Sequence, residues 1–174
     1  MTPQENTLKT FEYITEDILQ PFGYMPEGLP RILPPFGQFK QFKIADQWTY
    51  ITPSGVVVQE EENTLTDLAS VPWFARNLLK IPGRETAGAC AHDSGYRNPL
   101  RPRWNILTEE WELLGKDDWD EVFNTINIMA GVIPLKRKCL NAGLDLGGWY
   151  GWNRNVKKNP CTLNIPLLPI PQLA

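Results

Sequence analysis

The chain is 174 residues long, 42% hydrophobic and 21% charged, with a formal net charge of −3. This length and balance fit one domain with a core of its own and exclude a globally disordered chain. The negative charge argues against a nucleic-acid binder, and no apolar run reaches membrane-spanning length.

Met1-Thr-Pro-Gln-Glu lacks the basic and apolar parts of an export signal, so the chain is expected to mature in a reducing cytoplasm. Thr7 to Leu19 is mixed and reads as a short helix or an arm. Pro21 to Phe36 contains Pro21, Pro26, Pro30, Pro34 and Pro35 and reads as extended or looping rather than regular. Phe39 to Ile51 and Gly55 to Gln59 are read as strands, joined by the turn Thr52-Pro-Ser-Gly55. Glu60-Glu-Glu-Asn63 leads into a loop at Thr66-Asp67-Leu68, and Val71 to Lys80 reads as a short helix.

Between Pro82-Gly83 and Asn98-Pro99 lies a helix whose Ala87, Gly88, Ala89 and Ala91 permit close packing. It carries His92, the only histidine, so acid–base chemistry by imidazole must run through it. His92 and Asp93 diverge by about 100° on a helix and can flank one cleft, while His92 and Tyr96 share a face. Arg101 to Asn105 is read as loop, and Thr108 as the cap of a short helix ending at Gly115. Asp117 is expected to cap a longer helix to about Ala130, closed by Gly131. Pro134 opens a last helix with Leu135, Cys139, Ala142 and Leu146 on one side. Trp149-Tyr-Gly-Trp152 is expected to end the compact part, with residues 153–174 as an extended tail. Three regions follow: a proline-rich arm over 1–36, one domain over 37–152, and the tail over 153–174. The short basic clusters at Lys136-Arg137-Lys138 and Arg154 to Lys158 are accounted for by solvated faces. Cys90, Cys139 and Cys161 form an odd set without metal-ligand spacing and are read as reduced thiols.

His92-Asp93-Ser-Gly-Tyr96-Arg-Asn98 resembles the His-Asp-Phe-Gly-Tyr-Arg-Asn helix of bacterial secreted phospholipases A2. Thr66-Asp67-Leu68 resembles their calcium loop. Thr66-Asp67-Leu68-Ala69-Ser70-Val71-Pro72 resembles more closely the signature of the DUF1353 proteins, a phage and prophage family of unknown function, over roughly Gln47 to Gly147. The resemblance implies an α+β fold: a small β-hairpin or sheet region, then a phospholipase A2-like helical core, between extended proline-rich arms. It implies His92 as general base for water, Asp120 as the acid that orients it, and Tyr96 as a support. It also implies Ca²⁺, held by Asp67, Asp93 and the Leu68 carbonyl, as electrophile. One His92 nitrogen should then meet Asp120 and the other should face a cleft. The secreted enzymes carry cysteines where Ala69 and Ala89 stand here, so the loop-to-helix disulfide is absent.

Each of these residues also has a plainer reading. Asp120 could serve the helix dipole near the start of its helix. Asp67 could be a turn residue or a cap, and Tyr96 a core aromatic. Three functions compete: a calcium-dependent phospholipid hydrolase, a virion structural or assembly protein without turnover, and a zinc hydrolase. The last lacks ligands, with one histidine and no clustered cysteines. Expected partners are a phospholipid substrate, and other virion proteins or further copies bound through the terminal arms. Host cytoplasm during synthesis, then the virion, is the expected location.

Overall fold

In a computed structural model, residues 22–25, 28–36, 41–66 and 83–158 are described. The chain is a mixed α+β protein, with small antiparallel sheets followed by three helices among the described residues. β1 (Ile32–Phe36), β2 (Gln41–Ile44) and β5 (Leu65–Thr66) form one sheet in the order β1-β2-β5. β3 (Trp48–Ile51) and β4 (Val57–Glu60) form a hairpin, and β6 (Arg103–Asn105) and β7 (Glu110–Glu112) another. The helices are α1 (Thr86–Arg97), α2 (Lys116–Met129) and α3 (Pro134–Lys158).

The predicted turn closes the β3–β4 hairpin. Gly55 adopts φ +88°, which favours glycine, and the Val56 N–H donates to the Thr52 hydroxyl at 2.9 Å. The long strand expected over 39–51 is instead two strands in different sheets, broken at Ala45-Asp46-Gln47. Asp46 turns outward there to an ion pair with Arg31. The prolines of Ile32–Phe36 do not prevent a strand, because among the described residues β1 is an edge that pairs on one side, with an irregular register between Leu33 and Phe36. Residues 22–25 dock on the same chain: Tyr24 exchanges both backbone hydrogen bonds with Ile51, at 2.8 Å each.

The region 101–115 corrects the sequence reading. Arg101 to Asn105 is not all loop, and no helix follows Thr108; β6 and β7 form a hairpin instead. Asn105 organises its turn, since its side-chain oxygen accepts the Leu107 N–H at 2.8 Å, an Asx-turn that competes with helix formation. Gly115, not Asp117, caps α2, and its N–H donates to the Asp118 carboxylate at 2.7 Å. α3 departs from expectation in its length, against the extended tail expected from Asn153. It buries Leu140, Leu144 and Trp152, leaves Leu135 and Leu146 exposed, and runs on through Asn153 to Lys158. Residues 1–21, 67–82 and 159–174, with the expected helices over 7–19 and 71–80 and most of the tail, lie outside the described residues.

The main core joins the β3–β4 hairpin to the helices. Trp48, Tyr50, Val56 and Val58 meet Cys90, Ala91 and Tyr96 of α1, Trp119, Val122 and Ile126 of α2, and Trp152 of α3. Small residues let α1 sit at its centre. A side chain on Gly95 would run into the Trp119 ring, and a Cβ on Gly88 would come within 2.9 Å of the Phe123 carbonyl oxygen.

Candidate functional site

The site is built where α1 and α2 cross. On α1, His92 and Tyr96 lie one turn apart, and their rings pack with centroids 4.0 Å apart. On α2, Lys116, Asp120 and Phe123 lie on adjoining turns. Because α1 is narrow at Gly88 and Gly95, α2 comes close enough to put Asp120 against the imidazole.

His92 Nε2 lies 3.0 Å from Asp120 Oδ1, and the Tyr96 hydroxyl donates to the same oxygen at 2.8 Å. Lys116 Nζ donates to Asp120 Oδ2 at 2.5 Å. Phe123 packs its edge on the imidazole with centroids 5.6 Å apart, and Trp152 of α3 packs on Tyr96. His92 is 1% exposed and Lys116 5%.

Burial would raise the Asp120 pKa, but the hydrogen bonds from His92, Lys116 and Tyr96 outweigh it and hold the carboxyl below its ordinary value. Burial opposes charge on His92, yet the carboxylates of Asp120 and Asp93 outweigh it and raise the imidazole pKa. Burial, reinforced by Asp120, pushes the Tyr96 phenol up, so it stays a donor. An ionised Asp120 accepts at Oδ1, which places the proton of a neutral His92 on Nε2 and the lone pair on Nδ1.

That Nδ1 lies 3.9 Å from Asp93 Oδ1, and the imidazole is buried. The other Asp93 oxygen accepts from the Thr66 hydroxyl, and the Arg97 guanidinium donates to the Leu65 carbonyl. Both residues of β5 are thereby stitched to α1. Asp67 and Leu68 themselves lie outside the described residues. Among the described residues no group of three or more His, Cys, Asp or Glu side chains could hold a metal.

The structure therefore brings together His92, Tyr96, Asp120 and Asp93 from the sequence-derived set. Lys116 and Thr66 were given no role in the sequence reading. Lys116 had one signal, a lysine four residues before an acid at a helix start. Thr66 stood inside the motif, but a threonine hydroxyl announces no partner until the tertiary contact exists.

A family model matches residues 42–143, more than half of the chain. The chain belongs to DUF1353, a family of proteins of unknown function. The DUF1353 match runs from β2 into α3 and includes His92, Tyr96, Lys116 and Asp120, within a few residues of the span expected from sequence. No match was found among curated proteins or among solved structures. No helix among the described residues is long and apolar enough to cross a membrane.

Proposed function

We propose that this DUF1353 protein is a phage-encoded, calcium-dependent hydrolase that cleaves an ester of membrane phospholipids, in the manner of phospholipase A2. The observation that carries the reading is the convergence of His92, Tyr96 and Asp120 from two helices, with Asp93 beside the other ring nitrogen. A lone buried histidine needs one partner; this one has a carboxylate that is itself held by three donors.

In this reading His92 Nδ1 takes a proton from the attacking water, and Asp120 stabilises the imidazolium that results. Tyr96 and Phe123 hold the ring plane, and the packed aromatic wall excludes bulk water from its sides. Asp93 offers a buried carboxylate, and Thr66, the residue before Asp67 in sequence, donates its hydroxyl to it. Carboxylate and carbonyl oxygens suit a hard cation, so Asp93, Asp67 and the Leu68 carbonyl fit calcium in kind. When bound, calcium would supply the electrophile that polarises the ester carbonyl.

The test is release of fatty acid from mixed phospholipid vesicles by the full chain, with calcium and with chelator. Calcium-dependent release that His92→Gln abolishes supports the reading; no release at any calcium concentration sinks it. A second reading, a virion scaffold without turnover, is favoured by the exposed apolar side chains of α3, Leu135, Leu146 and Tyr150, which offer an interface.

A further inference from the structure

Asp120 uses its two oxygens differently. Oδ1 serves His92 and Tyr96, while Oδ2 accepts from Lys116 at 2.5 Å. A lysine is rarely buried as deeply as Lys116 unless it is paired, and α3 closes over this one. The Trp149 ring lies 5.2 Å from Nζ, and Asp117 Oδ1 lies 3.6 Å away. At Gly148 a Cβ would come within 3.1 Å of Lys116 Cε and 2.8 Å of the Tyr96 hydroxyl. The ammonium is thus confined from α3 as well as from its own helix.

A carboxylate turns broadly about its last torsion unless both oxygens are engaged. We infer that Lys116 is a positioning residue: it fixes the plane of the Asp120 carboxylate so that Oδ1 stays on His92 Nε2, leaving Nδ1 to face Asp93. The catalytic consequence rests on the reading of His92 as general base, whereas the hydrogen-bond geometry can be tested without turnover. A solvent-exposed lysine four residues from an acid would only support its helix. Here the lysine is buried and the acid partly buried, and the acid's other oxygen carries the imidazole and the phenol.

Because His92 is the only histidine, its imidazole gives one set of nitrogen resonances in the full-length protein. At a pH where the imidazole is neutral, the wild type should carry its one proton on Nε2, slowly exchanging with water. Lys116→Met should speed exchange of that proton by about tenfold or more, the loss expected from releasing a charge-assisted hydrogen bond. Lys116→Arg, which keeps a donor, should restore most of the protection. Wild-type exchange in a folded methionine variant would overturn the inference, as would a neutral wild-type imidazole whose one proton is on Nδ1. Should the methionine variant not fold, Trp149→Ala opens the ammonium to water without altering Asp120; it should speed exchange less, and unchanged exchange there counts as refutation. If vesicle hydrolysis occurs, Lys116→Met should lower kcat with KM unchanged. Absence of hydrolysis in the wild type refutes the enzyme reading alone, since the exchange measurement still decides the role of Lys116.

Discussion

Asp120 can be exchanged for an amide with little change in volume, so its substitution separates charge from packing. Asp120→Asn removes the ionised acceptor for Nε2–H and allows the imidazole to adopt the other tautomer. If the protein hydrolyses lipid, that change should lower kcat by about 10²–10⁴, measured as fatty-acid release per enzyme. Glu60 provides a second test at this scale, one that needs no activity. It ends β4 in full burial, and burial pushes its carboxyl from 4.5 up to about 8, against the Ser94 hydroxyl and the Arg103 and Arg101 charges. The folded protein keeps this proton over a range in which the unfolded chain has lost it. Stability from this group is therefore full below about pH 4.5 and falls as pH rises through about 8. The loss should be a few kcal/mol, on the order of 3–5 if the unfolded value is ordinary. Glu60→Gln should flatten that decline, read as urea midpoints from about pH 5 to about pH 9. A wild-type midpoint that does not fall over that window would refute the protonated, buried state.

The two helices that make the site depend on glycine for their approach. Gly95 gives its space to the buried Trp119 ring, so Gly95→Ala should cost about 3 kcal/mol, the upper range for an added methyl in a packed core. The same variant should disturb His92 and Asp120, because it pushes α2 away. For α3 the prediction follows its buried face. Leu144 is buried and Leu146 is 91% exposed. Leu144→Ala should cost about 2–5 kcal/mol, while Leu146→Ala should stay within about 0.5. Equal effects in denaturant melts would mean that α3 does not pack through Leu140, Leu144 and Trp152.

For the molecule as a whole, calcium binding would link the loop after β5 to α1. If Asp93 and the neighbouring loop hold the ion, calcium at a hundredfold above Kd should raise Tm by about 5 °C or more. Asp93→Asn should abolish that rise in calorimetry, and no rise in the wild type at millimolar calcium would remove the ion from the mechanism. The terminal segments bear on assembly. The apolar residues Leu163, Ile165, Leu167, Leu168 and Ile170 alternate with polar residues and proline, a pattern suited to docking on another surface. Deleting residues 160–174 should spare the fold around His92 but lower the mass found by light scattering. An unchanged monomeric mass for both forms would favour a self-docked tail, as residues 22–25 already dock on β3.

Local signals carried the sequence reading where one short stretch sufficed. The α1 helix between Gly83 and Asn98, the turn at Gly55, and the alignment of His92 with Tyr96 all follow from spacing and backbone preference. The pairing of His92 with Asp120 was an expectation of family resemblance. Spacing left Asp120 equally explicable as a helix-dipole acid, and only the crossing of α1 and α2 puts its oxygen 3.0 Å from Nε2. Local preference misled at 101–115, where Thr108 suggested a cap but Asn105 bent the chain into a hairpin. It was silent on the buried side of α3, whose sequence offers apolar residues on more than one side. Which side is buried depends on where α2 and Tyr96 stand, information absent from the helix itself. Lys116 is the sharpest instance: at a helix start a lysine reads as solvated. Its burial comes from Gly148 and Trp149, residues more than thirty positions away, which close over it only when α3 folds back.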